Sequence, residues 1–208
     1  MLKRAEPKIN LGWLFFAVLL SDFLLGVFYW MGLEHAYIPS DFAHLPYITF
    51  SFPYSHGLVA SFVWSGLAFL LAKYLWRDGD RVKVAFVLGA AVFSHFILDF
   101  IVHVPELPVL GRGSRKLGLG LWNNMTAALT LEIILVLLGL VVYLPVAKQR
   151  GFTCRLGIVI LMAIFSLLTV VAMTSSTPPD LTGAAVSWIA APLVLSVIAF
   201  WLDRPSSS

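Results

Sequence analysis

Residues Val84–Val104 read VAFVLGAAVFSHFILDFIVHV. A helix needs about 20 mostly apolar residues to cross a hydrocarbon layer of about 30 Å, and this block meets that length. A strand would leave its backbone groups without partners in lipid, whereas a helix satisfies them within the segment. The block therefore predicts a transmembrane helix.

Outward from it, five more blocks read the same way: Leu11–Met31, Ser55–Trp76, Leu119–Leu144, Arg155–Met173 and Ala184–Leu202. The expected fold is an all-α, polytopic membrane protein of about six transmembrane helices, forming one domain over residues 1–208. No repeat or linker divides it. Composition agrees. Of 208 residues 60% are hydrophobic and 12% charged, against about 25% charged in soluble domains. Lys3, Arg4 and Lys8 precede the first block like the head of a signal peptide. The block is too long for one, and no small-x-small cleavage site follows, so it reads as a retained span.

The net charge of +3 is distributed by topology. Lys3, Arg4, Lys8, Lys73, Arg77, Arg81, Lys83, Lys148, Arg150, Arg155 and Arg204 fall on one face of the predicted bundle. Arg112, Arg115 and Lys116 fall on the other. The basic face is expected to be cytoplasmic, with both termini inside. No basic patch with interleaved aromatics exists, so nucleic acid is not an expected partner; membrane lipids are. The single Cys154 has no CxxC context and reads as a small core residue. Trp and Tyr near the span ends read as interfacial anchors.

Against this background several residues are out of place. An ionisable side chain at mid-membrane costs roughly 2.5–3.5 kcal/mol on insertion scales, so each needs a partner or a purpose. Asp22 lies in the first span, His56 opens the second, His95, Asp99 and His103 occupy the third, and Glu132 lies in the fourth. His95, Asp99 and His103 stand at i, i+4 and i+8, drifting only about 80° around a helix and forming one stripe. Nitrogen and oxygen donors one turn apart on one face suit a divalent transition metal such as zinc. By helical rise, Asp22, His56, His95, Asp99 and His103 fall mostly in the outer half of the bilayer, while Glu132 lies deeper. Glu34, His35, Asp41 and His44 belong to the first outer loop; solvation is the default for them, with Glu34 or His35 within reach of the site. Glu106 sits between Pro105 and Pro108, and Ser175–Asp180 (SSTPPD) reads as a plain turn.

Two strings, PYSHGL (Pro53–Leu58) and SHFILD (Ser94–Asp99), resemble motifs of a family of bacterial inner-membrane proteins described as membrane-bound metal-dependent hydrolases. That family has a T-H-S-L-like motif opening one span and an H-x-x-x-D motif in a later one. The resemblance implies His56, His95 and Asp99 as metal ligands, with a looser match for Asp22, and a location in the bacterial inner membrane. The chain departs from the pattern where Phe52-Pro53-Tyr54 replaces an Arg before the T-H motif, and it lacks the acidic P-D-x-D-like string.

The expectation is a membrane-embedded metal-dependent hydrolase acting on an ester or phosphoester of an amphiphilic substrate. His56, His95 and Asp99 would hold a divalent ion, zinc by preference. His103 or Asp22 would be a fourth ligand, and Glu106 or Glu132 a general base. Two other readings stay open: a non-enzymatic subunit of a larger membrane complex that holds a metal or pigment, and a small proton-coupled transporter.

Overall fold

The computed structural model describes residues 2–42, 47–77 and 79–204; His44 lies outside them. The chain is built of helices, with two short hairpins at one end. A first turn, α1 (Leu2–Ala5), leads into α2 (Leu11–Val18) and α3 (Leu20–Trp30). Strands β1 (His35–Tyr37) and β2 (Thr49–Ser51) pair antiparallel before α4 (Leu58–Leu75) and α5 (Arg81–Val102). Strands β3 (Leu107–Pro108) and β4 (Lys116–Leu117) pair next, followed by α6 (Met125–Val146), α7 (Phe152–Thr174) and α8 (Leu181–Leu202).

Helices α4 to α8 are each long and apolar enough to cross a membrane. Together with the α2–α3 pair they make an integral membrane protein of five to six spans. Helix α5 is the central one: 44% of its apolar window is buried, against 6% in α7, whose outward face is Leu, Ile and Val. Such a face requires lipid, since water offers it no compensation.

Helix starts follow from side-chain caps. Asp80 accepts from the Val82 and Lys83 amides at 3.1 Å each, so α5 begins at Arg81. Asp180 accepts from Thr182 and Gly183 at the head of α8, and Asn10 from Gly12 at the head of α2. These caps satisfy amides that have no partner inside the helix. They extend α5 and α8 back beyond the expected Val84 and Ala184. The fourth span instead starts late, at Met125 rather than Leu119. Residues 118–120 are drawn under the end of α5, where Leu119 N–H donates to Phe100 and Gly120 N–H to His103, both at 2.8 Å. Gly118 lies at φ +145, and a Cβ there would stand 2.5 Å from the His103 carbonyl, so only glycine fits.

The first span is not the single helix the sequence suggests. It breaks at Leu19, and its halves meet at 50°. Both halves lie against α8 through glycine. Gly12 faces Ser196 and Phe200, and Gly26 faces Ala185 and Ile189, where a Cβ would stand 2.6 Å from Ile189 Cγ1. Midway between these contacts lie Leu19 on one side and Pro192 on the other. Pro192 lacks the N–H that would continue the hydrogen-bond ladder of α8 at this level.

The chain ends are stapled together at one end of the bundle. Lys3 Nζ is 2.7 Å from Asp203 Oδ2, and Asp203 also accepts from the Leu11 amide at 2.8 Å and the Tyr143 hydroxyl at 3.2 Å. Arg150 donates to the Asp203 carbonyl, and Glu6 pairs with Lys83 at the start of α5.

Candidate metal centre

At the other end of the bundle, α3, the turn before α4, and α5 bring polar side chains to one point. Asp22 lies in the first turn of α3, directly after the break. Without the bend at Leu19, α3 would not follow α8 and carry Asp22 to the face of α5. His56 precedes α4, and the His95–Asp99 pair lies on α5, about 21–27 Å along that helix from Arg81.

The imidazole Nε2 atoms of His56 and His95 are 3.3 Å apart. Asp22 Oδ1 lies 3.7 Å from each. Asp99 Oδ2 lies 3.6 Å from His56 Nε2 and 3.2 Å from His95 Nε2. In a tetrahedral zinc site with bonds of 2.0–2.1 Å, neighbouring donor atoms stand about 3.3 Å apart. These five distances lie within about 0.4 Å of that edge, and Asp22, His56 and His95 form a set whose donor atoms all lie within 4.8 Å of one another.

The His56 imidazole is oriented from behind. His56 Nδ1 is 2.7 Å from Ser55 Oγ, whose own proton goes to Glu34 Oε2 at 2.6 Å. A hydroxyl has one proton, so with Glu34 ionised Ser55 must accept from His56 Nδ1–H, leaving a lone pair on Nε2. The other Glu34 oxygen takes the Tyr54 and Ser55 amides at 2.8 and 2.9 Å. Glu34 is fully buried, and that burial pushes its carboxyl above the usual range against the pull of these donors. His95 Nε2 also faces the cluster, as an acceptor when the ring is neutral.

With both rings neutral, two imidazole nitrogens and two carboxylates meet with no donor among them. Asp99 Oδ2 is buried without a hydrogen-bond partner among the described residues. Burying such a group costs free energy unless something compensates it. The donor set, its spacing and its orphaned oxygen fit a bound divalent cation. His56, held by Ser55, also matches the usual arrangement in which a ligand histidine makes a further hydrogen bond.

His103 stands apart. It caps α5, with Nε2 3.9 Å from Asp99 Oδ1, and its ring lies 4.0 Å from that of Trp122. Its Nδ1 is 2.6 Å from Glu106 Oε1, and the second Glu106 oxygen accepts from the Phe50 amide at 2.7 Å. Both oxygens of Glu106 are thus engaged, and it positions His103. Glu132 is not brought to this point; it faces Ser166 and Thr169 between α6 and α7.

Asp22, His56, Asp99 and His103 line a cavity of about 860 Å³ whose remaining wall is mainly apolar. Leu25, Phe50, Phe52, Trp122 and Trp188 form part of it, and the end of α7 with the Ser175–Asp180 turn closes it. Tyr47, also in the wall, gives its hydroxyl to Asn123 at 3.2 Å; burial, with Asp41 and Glu106 nearby, raises its pKa.

Sequence reasoning missed Ser55 and left Glu34 with the solvated loop as its default. The signal was present for one of them: Ser55 adjoins His56, and a hydroxyl next to a ligand histidine is a natural partner. Compared with protein-family models, curated proteins and solved structures, the chain has no significant match in any of the three.

Proposed function

We propose that the chain is a membrane-embedded metal-dependent hydrolase whose substrate is an amphiphile carrying an ester or phosphoester. The observation that carries this reading is the convergence of His56 Nε2, His95 Nε2, Asp22 Oδ1 and Asp99 Oδ2, with Asp22, His56 and Asp99 lining a largely apolar cavity. A zinc-like cation supplies two things when bound by such a set: polarisation of the scissile group and acidification of water.

The chain's own residues do the rest. Glu106 fixes His103 so that Nε2 faces the cavity side of Asp99, and His103 Nε2 takes a proton from water and returns it to the leaving oxygen. Apolar walls receive the hydrocarbon part of the substrate and exclude competing water. The site lies near the outer leaflet and both chain ends face the cytoplasm. Support for that orientation comes from the stapled chain ends and from the basic residues clustered with them, Lys3, Arg150 and Arg204. A bacterial inner membrane and the family suggested by PYSHGL and SHFILD are part of the same proposal.

Elemental analysis of gently solubilised protein, paired with an absorption spectrum, tests it. About one zinc per chain without colour is expected. Metal-free protein that stays folded would sink the reading and leave His95 as a protonated partner of two carboxylates, as a proton carrier or a structural subunit requires.

A further inference from the structure

The cavity has carboxylates and, among the described residues, no lysine or arginine. Asp22, Asp99 and Asp180 line it with His56 and His103. Asp180 is already compensated, since it caps α8. Asp22 and Asp99 carry two negative charges, which one divalent cation cancels. The nearest basic residues in sequence, Arg112, Arg115 and Lys116, belong to the β3–β4 hairpin outside the cavity wall, and Arg112 is spent on the Leu33 carbonyl at 2.7 Å. A phosphoester entering here would bring a charge that nothing offsets, in surroundings where an unpaired charge is most costly. Besides the carboxylates and the two imidazoles, the polar groups of the wall are neutral. Trp122 carries a buried indole N–H without a partner among the described residues, and Ser175, Thr177 and Ser187 supply hydroxyls.

We propose that the substrate is a lipid whose reacting group is uncharged, an acyl ester, with its hydrocarbon chain against Leu25, Phe50 and Trp188. The inference rests on the hydrolase reading and narrows it. Hydrolysis breaks the bond between the acyl carbon and the alkoxy oxygen. The oxygen of water forms the new bond to that carbon. One water proton passes to the departing oxygen, giving an alcohol; the second is released to solvent as the other product, a fatty acid, leaves as its anion. A cavity without fixed cations releases that anion readily.

The test uses full-length protein in detergent, loaded with zinc, and two matched chromogenic probes, p-nitrophenyl dodecanoate and dodecyl p-nitrophenyl phosphate. The ester is expected to be turned over at least on the order of a hundredfold faster, the scale of an uncompensated charge. Calorimetric titration with two inert analogues, 2-tetradecanone and dodecylphosphonate, should show the ketone binding more tightly. Ser187→Lys adds a cation to the wall and should shift that preference toward the phosphonate. Faster turnover of the phosphate probe, or tighter binding of the phosphonate to the unmodified protein, overturns the acyl-ester inference and leaves the hydrolase reading standing. A Ser187→Lys variant that gains no phosphonate affinity also overturns it. Turnover of neither probe by zinc-loaded protein removes the hydrolase reading and this inference with it.

Discussion

The two ends of the bundle each bury a carboxylate, and they treat it differently. Asp203 is surrounded by donors: the Lys3 ammonium, the Leu11 amide and the Tyr143 hydroxyl. Asp99 is set among acceptors, with one oxygen unpartnered and two imidazole nitrogens 3.2 and 3.6 Å away. The first arrangement is complete and holds the chain ends together. The second lacks donors among the described residues, a gap that a bound cation would fill. Burial alone does not separate a staple from a site; the sign of the neighbouring groups does.

The sharpest way to break this contrast is at the open end. His95→Ala or Asp99→Ala should take bound zinc from about one per chain to none, while the protein still folds. Full metal retention in either variant would refute the ligand assignment. At the closed end, Asp203→Ala strands a buried ammonium and should cost roughly 3–5 kcal/mol in unfolding free energy with metal content unchanged. Metal loss without destabilisation there would reverse the roles assigned to the two ends.

A smaller effect tests whether His56 is held from behind. Glu34→Gln replaces the acceptor of the Ser55 proton and should weaken zinc about 10–100-fold in competition with a chelator. Unchanged affinity would make the Glu34–Ser55 pair a matter of loop folding only. Smallest is Gly26→Ala. It crowds Ile189 where α3 meets α8 and should cost about 1–3 kcal/mol, with a modest loss of metal through displacement of Asp22. A neutral result would mean that the α3–α8 contact does not set the position of Asp22.

Much of the fold was legible because lipid leaves a chain few options. Long apolar blocks located five of the spans, with errors of a few residues where polar caps such as Asp80 and Asp180 extend a helix into the loop. The break at Leu19 was not legible, because neither Gly nor Pro marks it. Within the site, the i, i+4 spacing identified His95 and Asp99, and insertion cost identified Asp22. Glu34 was hidden because a carboxylate beyond a span end is ordinarily solvated. Here the chain turns back through β1 and β2 and folds over it. Glu106 and Glu132 look alike in sequence, since each is a lone acid. Distance alone divides them: one is 2.6 Å from His103 and the other lies between α6 and α7.

The bent first span has a consequence for biogenesis. A helix interrupted at mid-membrane is a poor candidate for standing alone in lipid, and its two halves rest on α8, the last of these helices to leave the ribosome. Asp22 is therefore placed only after α8 has been made and has packed against the first span. Until then the polar side chains of α3 and α5 pass through the insertion machinery without having met.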